Sequence, residues 1–204
     1  MAEDRLKSIF NHQRELMGRF HAIEQSNGFR RAALPLCLDR HISQERLRGL
    51  AWHVIEEFGE AVEAPINEFH EEMVDTLHFL VELMITAGCE VHHMVSVVDT
   101  EHDSLSYLYM QAEKEWPAGF SPPTVEVCQL SFVISLARAM HVLKNKPWKQ
   151  TSREVDIPVF FARLRIALVD FIALCRWSGL PAQELYDRYF QKNAINHQRI
   201  EQGV

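Results

Sequence analysis

Glycine and proline are scarce in this chain, with only eight of each among 204 residues. No stretch alternates apolar and polar residues for long enough to predict a β-strand. Apolar residues recur instead at spacings of three and four almost throughout, which is the periodicity of amphipathic helices. The sequence therefore predicts an all-α bundle of six or seven helices, and its length favours a single domain over residues 1–204.

Positively charged residues are also few. The chain has 21 Lys and Arg residues and 28 Asp and Glu residues, which gives a net charge of −7. Wrapping nucleic acid nonspecifically needs clustered Lys and Arg, so we expect no nucleic-acid partner. The opening residues, MAEDRLKSIF, lack the apolar core of a signal sequence, and no apolar run approaches the roughly 18 residues of a membrane-spanning helix. These absences predict a soluble, cytoplasmic protein with no membrane partner.

Cysteine occurs only four times, and no two cysteines form a Cys-x-x-Cys pair. Three of the four lie in apolar helical contexts, which predicts buried thiols in a reducing compartment rather than a disulfide framework or a zinc site. The cysteines are Cys37, Cys89, Cys128 and Cys175.

Helix boundaries can be predicted from stop and start residues. Ala64-Pro65 ends the second helix because proline disfavours a helical residue before it, and Asn67 can cap the third. The clearest break is the loop WPAGFSPPT near residues 116–124, whose last residue, Thr124, can cap the next helix. The predicted helices cover about residues 6–23, 47–62, 67–88, 99–116, 125–144, 159–177 and 182–202.

Acidic residues crowd the end of the second predicted helix and the start of the third. Glu57 and Glu60 are three residues apart, and so are Glu72 and Asp75, which puts each pair on one helix face. The short connector predicts an antiparallel hairpin in which the two pairs can meet. Four converging carboxylates suit a hard cation such as Mg²⁺. On spacing alone, the alternative of an acidic surface facing water stays open.

Three motifs occur in order along the chain. The acidic pattern is Glu-Glu-x-x-Glu at residues 56–60 followed by Glu-x-x-Asp at residues 72–75. The last helix has the pattern K-N-x-x-N-x-x-R-x-x-x-G at residues 192–203, and the first helix carries Gln13 within IFNHQRELMGRFHAIE. Together with Trp52, these motifs resemble the all-α nucleoside triphosphate pyrophosphatase superfamily (MazG-like), in particular its dimeric dUTPase and phage dCTPase–dUTPase branch. The resemblance is weak between about residues 91 and 124.

The resemblance implies a MazG-like, dimeric dUTPase-like fold and the hydrolysis of a pyrimidine deoxynucleoside triphosphate, dUTP, dCTP or both, to the monophosphate and pyrophosphate. It implies a Mg²⁺ cofactor, which Mn²⁺ could replace, and a homodimer. Glu57 would accept the proton of the attacking water, and Trp52 would either stack on the base or pack in the core. The implied metal ligands are Glu57, Glu60, Glu72 and Asp75. The implied substrate-binding residues are Gln13, Trp52, Lys192, Asn193, Asn196 and Arg199.

The chain departs from the family pattern at two places. It ends in Gly203-Val204 where a tyrosine is usual after the glycine, and no Lys or Arg lies between the two acidic pairs, only His70. The loop LKNKPWKQTSR, residues 143–153, could supply the missing positive charge, or could be an ordinary solvated basic loop.

Other functions stay open from the sequence alone. The most serious is a non-catalytic helical nucleotide-binding or interaction protein of the same fold, and a purine or modified deoxynucleoside triphosphate is also compatible as substrate. Asp75-x-x-His78 with Glu90-x-x-His93 would suit a di-iron carboxylate bundle, although His78 also reads as a satisfied core residue. His102-Asp103 would suit an HD phosphohydrolase, but a single dipeptide is weak support.

Overall fold

The computed structural model describes residues 4–29, 32–65, 68–95, 103–114 and 124–203. These residues form eight α-helices and no strand, which confirms the all-α class. The helices are α1 (Arg5–Ser26), α2 (His41–Glu63), α3 (Phe69–Ala87), α4 (Val91–Met94), α5 (Ser104–Lys114), α6 (Val125–Val142), α7 (Ile157–Trp177) and α8 (Ala182–Gln202).

The described part of the chain has one or two more helices than expected because a single helical turn, α4, follows the end of α3. Gly88 ends α3 in the left-handed conformation at φ 88°. A side chain there would be strained, and its Cβ would lie 3.0 Å from the Cβ of Pro35. Glu90 and His93 then form a reciprocal capping box that starts α4. Such a short helix leaves no apolar periodicity by which the sequence could predict it.

The other predicted boundaries agree to within a few residues, apart from α2, which begins earlier at His41. Thr124 is the N-cap residue of α6, as predicted, although its side chain makes no capping hydrogen bond. Asp156 caps α7 by accepting a hydrogen bond from the backbone of Val159 at 3.1 Å. Asn67, the loop at residues 115–123 and the predicted ends of the fourth helix lie outside the described residues.

Two helix pairs dominate the packing, and each pair is consecutive in sequence. The helices α2 and α3 make the most extensive contact, and α6 packs against α7 in the same way. The helices α1 and α8 pack together and against α3. One apolar core draws on all eight helices, with Leu6, Leu47, Leu77, Met94, Leu105, Phe132, Phe171 and Tyr189 as one buried member from each. This packing holds the acidic ends of α2 and α3 beside α8.

The buried thiols follow the sequence prediction. Cys89, Cys128 and Cys175 are buried, Cys37 is exposed, and all four are free.

Helix α6 is long and apolar enough, by length and composition, to cross a membrane. That is weak evidence, because core helices of soluble proteins pass the same test, and α6 packs Phe132 and Leu136 into the core.

Candidate active site

Three carboxylates converge where α2 and α3 pack together. Glu57 on α2 and Glu72 and Asp75 on α3 each place one oxygen within 4.8 Å of the others, and all three side chains are partly buried. The spacing of three residues between Glu72 and Asp75 puts both on the α3 face that meets α2. Such an oxygen-only cluster is the donor set that Mg²⁺ or Mn²⁺ prefers.

The fourth predicted acid, Glu60, is exposed and does not belong to this group of three. It is nevertheless close, since its negative charge helps to raise the pKa values of Glu57 and Glu72. Burial is the larger cause of both raised pKa values, followed by repulsion from Asp75. A cation placed among these groups would relieve that repulsion.

Lys192, on α8, already places a positive charge in the cluster. Its Nζ donates a hydrogen bond to Oδ2 of Asp75 at 2.5 Å, and both side chains are largely shielded from solvent. The ammonium group opposes the rise in the pKa values of Glu57 and Glu72. Lys192 thus occupies the position of a cation in this structure, which fits a site built for one.

A cavity of about 1090 Å³ opens beside the carboxylates. Residues from α1, α2, α3 and α8 line it, and Arg40 and Arg46 add positive charge to that of Lys192. Six of the residues implied by the sequence motifs line this cavity: Gln13, Glu57, Asp75, Lys192, Asn196 and Arg199. Asn193 is buried beside Tyr189 and is not among the lining residues.

Gln13 is held in one orientation by two buried neighbours. Its Oε1 accepts hydrogen bonds from the Tyr189 hydroxyl at 2.7 Å and from Nδ1 of His78 at 2.8 Å. The His78 ring stacks on Tyr189 with centroids 4.2 Å apart. Because an amide oxygen only accepts, Nδ1 of His78 carries the proton and the amide nitrogen of Gln13 stays available as a donor. Burial, followed by the charge of Lys192, lowers the pKa of His78 to about 3, so the ring is neutral.

The comparisons with known proteins bear on what such a site does. A family model described as dUTPase matches residues 58–204. The chain belongs to the dUTPase family. The match covers Glu60, Glu72, Asp75 and all of α8, and it begins one residue after Glu57. Comparison with curated proteins and with solved structures gives no match.

Membership of the dUTPase family supports dUTP hydrolysis, and so implies a deoxynucleoside triphosphate pyrophosphohydrolase. Members of this family are typically dependent on a divalent metal, which agrees with the acidic cluster of this chain. Gln13, Trp52 and Glu57 lie before the matched segment, so their assignment rests on the motifs and on the geometry.

Trp52 of this dUTPase-family chain does not pack in the core, because it is 61% exposed. Its Nε1 donates a hydrogen bond to Glu56 at 2.7 Å, and the other Glu56 oxygen lies 2.8 Å from Nδ1 of His53. Glu56 is therefore held on the surface by its neighbours. The remaining acids of the hairpin, Glu63, Glu68 and Glu71, are exposed, as predicted.

The basic loop does not contribute to the cavity, whose lining includes none of Lys144, Lys146, Lys149 and Arg153. Asn145 anchors the loop elsewhere, since its backbone N–H donates to Gln44 at 2.7 Å and its side-chain amide donates to the carbonyl of Arg153 at 2.9 Å. Of the two alternatives for this loop, the described residues favour an ordinary basic loop, and Arg40 and Arg46 supply positive charge on the cavity wall instead.

The alternative metal and HD sites find no support in the described residues. Glu90 pairs with Arg14 at 2.7 Å, and His78 is committed to Gln13, so neither adds to a di-iron cluster. Asp103 binds Arg5 at 2.6 Å, while His102 lies outside the described part of the chain.

Two further cavity residues had no place in the predicted nucleotide site: His78, which the sequence offered only as a di-iron ligand or a core residue, and Glu82, which had no predicted role. Both follow Asp75 at helical spacings, by three and seven residues, and both line the cavity. That spacing was the signal that could have marked them.

Proposed function

We propose that this dUTPase-family chain hydrolyses dUTP, dCTP or both to the monophosphate and pyrophosphate in a reaction that depends on Mg²⁺. The observation that carries the proposal is the convergence of Glu57, Glu72 and Asp75 around one position at the wall of a large cavity. Mn²⁺, which takes similar oxygen ligands, is expected to replace Mg²⁺.

The metal would be held by Glu57, Glu72 and Asp75, and Glu60, whose charge acts on Glu57 and Glu72, is the candidate for a fourth ligand. When bound, a divalent cation supplies the positive charge that neutralises phosphate oxygens. The chain itself carries a net charge of −7, so it needs local cations to accept a triphosphate. Lys192 and Arg199 are suited to hold phosphate oxygens, and Asn196 offers them a hydrogen bond.

Glu57 is suited to accept the proton of the attacking water. Burial and the neighbouring carboxylates raise its pKa, which makes it a stronger base than an ordinary exposed glutamate. Its position on α2, opposite the two acids of α3, leaves it on the cavity wall. Lys192 keeps the site from accumulating three uncompensated charges, because it neutralises Asp75.

Gln13 is proposed to recognise the base. With its oxygen held by His78 and Tyr189, the amide nitrogen can donate to a carbonyl oxygen of a pyrimidine, an acceptor that uracil and cytosine share. Asn193 would serve indirectly by packing beside Tyr189. Trp52 is exposed and free to stack on a base or on a partner chain.

We further propose that two copies of the chain associate. Helix α6 exposes Val127, Leu130 and Ile134 at spacings of three and four, which forms a continuous apolar face. Helix α7, which packs against α6, exposes Ile166 and Trp177. A homodimer through this apolar face, like that of the resembled branch, would bury these side chains. We place the protein in the cytoplasm and treat residues 1–204 as one domain.

Pyrophosphate release measured with dUTP and dCTP tests the hydrolysis. Wild-type protein should release pyrophosphate with Mg²⁺ and stop when EDTA removes the metal. Glu57→Gln and Asp75→Asn should each lower kcat by about 10²- to 10⁴-fold, the range for losing a base or a metal contact. Glu71→Gln is the matched control, since Glu71 is an exposed acid on the same helix, and it should leave kcat unchanged.

Two results would contradict the proposal. Equal losses of kcat in the Glu71→Gln and Asp75→Asn variants would mean that the carboxylate cluster has no catalytic role beyond that of an exposed acid. Correctly folded protein that binds dUTP but releases pyrophosphate from no nucleotide would instead be a non-catalytic binding protein of the same fold.

A further inference from the structure

Glu82 stands on the cavity wall two helical turns beyond the acidic cluster. Asp75, His78, Phe79 and Glu82 follow one another along the cavity-lining face of α3. Seven residues of helix separate Asp75 from Glu82, which corresponds to about 10.5 Å along the axis. A ligand whose phosphates lie at Asp75 and whose base meets Gln13, the partner of His78, would extend along this face toward Glu82.

The Glu82 carboxylate has no hydrogen bond and no ion pair to any residue that the structure describes. Burial raises its pKa, and the positive charges of Arg46 and His53 act in the opposite direction. A half-buried carboxylate without donors carries a desolvation cost that a ligand donor would relieve. Glu82 therefore presents an unused hydrogen-bond acceptor to the cavity.

The cavity volume of about 1090 Å³ lies slightly above the range of roughly 300–1,000 Å³ that is typical of ligand pockets, which leaves room for a substituted base. The side chains of Leu16, Phe20 and Leu50 contribute apolar wall beside the polar and charged lining residues, among which Glu82 is the acid that follows Asp75 along α3.

We propose that Glu82 selects pyrimidine nucleotides whose base carries an exocyclic hydrogen-bond donor, either the 4-amino group of cytosine or a 5-hydroxymethyl group. An ionised carboxylate accepts hydrogen bonds from such groups and repels the 4-carbonyl oxygen of uracil. Arg46 and His53 lie near enough to offset the buried negative charge while leaving its oxygens free. This inference rests on the proposed hydrolysis of a pyrimidine nucleotide at the same cavity, and it adds the chemistry by which the base is chosen.

The experiment compares kcat/KM for dUTP, dTTP, dCTP and 5-hydroxymethyl-dUTP. Wild-type protein should prefer at least one donor-bearing nucleotide over dUTP, by about 10- to 100-fold for a hydrogen bond to a charged acceptor. Glu82→Leu should abolish that preference, because it slows the donor-bearing nucleotide and removes the charge that repels the 4-carbonyl oxygen of dUTP and dTTP, whose kcat/KM should not fall. Glu82→Gln keeps one acceptor oxygen, so its preference for the donor-bearing nucleotide should lie between those of the wild type and of Glu82→Leu. The dCTP and 5-hydroxymethyl-dUTP arms distinguish the two sources of the donor.

Binding of the corresponding monophosphates, measured by calorimetry, provides a readout that does not depend on turnover. The same order of preference should appear there and should disappear in Glu82→Leu. Two results would overturn the role of Glu82: an equal loss of kcat/KM for all four nucleotides in Glu82→Leu, or a wild-type preference for dUTP over both donor-bearing nucleotides. Discrimination among monophosphates without any turnover would support Glu82 and overturn the proposed hydrolysis, so the two failures are distinguishable.

Discussion

His78 should make the fold sensitive to mild acid. The ring is 5% exposed, packed on Tyr189 and bonded to Gln13, and its pKa is lowered to about 3 from the model-compound value of 6.5. Between these values the unfolded chain binds a proton at this site and the folded chain does not. Stability contributed by the neutral ring is therefore present above about pH 6.5 and falls as the pH drops toward 3.

The magnitude follows from the difference between the two pKa values. Each unit corresponds to about 1.36 kcal/mol, so at about pH 5 the loss through His78 is about 2 kcal/mol. The full shift would give about 5 kcal/mol as an upper bound, because a strained site can relax or admit water. A loss of 2 kcal/mol is a large part of the stability of a typical domain.

Urea unfolding of the wild type and His78→Gln at about pH 7.5 and about pH 5 tests this reasoning. Glutamine removes the titrating ring, and its amide can still donate to Gln13. The other ten histidines are the same in both proteins, so the wild type should lose about 2 kcal/mol more than the variant over this interval. The same loss in both proteins, or an NMR titration of His78 with a midpoint near 6.5, would refute a buried neutral ring.

The remaining two predictions concern an ion pair and the apolar face. Burial raises the pKa of Asp103, but hydrogen bonds from Arg5 and Ser106 outweigh burial, so the pKa is lowered overall. The ion pair between Arg5 and Asp103 therefore stabilises the fold at neutral pH. That stabilisation is lost as the pH falls through the lowered pKa of Asp103. Arg5→Ala should lower the free energy of unfolding by about 1 to 2 kcal/mol at neutral pH, after allowance for partial exposure of the pair, and by less in acid. Denaturant titrations that give an equal loss at both pH values would contradict this. Leu130→Glu should convert a dimer into monomers of 23.7 kDa in analytical ultracentrifugation, whereas Lys149→Glu on the basic loop should not. Wild-type protein that sediments as a monomer would contradict the dimer.

Periodicity was sufficient to predict most helices because their apolar faces are long. Leu6, Ile9 and Phe10 mark the buried face of α1, and all three are fully buried. The single turn α4 could not be predicted in this way, since its start depends on side-chain bonds between Glu90 and His93. Local chemistry of that kind leaves no repeating pattern.

The candidate site was predictable only as far as one hairpin extends. Spacing within α3 places Glu72 and Asp75 together, but whether Glu57 or Glu60 faces them depends on how α2 rotates as it packs. The hydrogen bond between Lys192 and Asp75 joins residues that are 117 positions apart. The motif of the last helix marked Lys192 as a candidate but did not indicate that Asp75 would be its partner. The bond between Gln13 and His78 likewise spans 65 residues and joins separate helices. Contacts of this range follow from the whole packing rather than from any segment.

Phosphorus NMR of dUTP incubated with the protein and Mg²⁺ tests the central claim most directly, because it identifies which phosphoanhydride linkage is hydrolysed. Hydrolysis between the α- and β-phosphates gives dUMP and pyrophosphate in equal amounts. We predict this result for the wild type, with conversion by Asp75→Asn slowed by about 10²- to 10⁴-fold. Accumulation of dUDP and inorganic phosphate, or unchanged dUTP with folded wild-type protein, would contradict a pyrophosphohydrolase built on Glu57, Glu72 and Asp75.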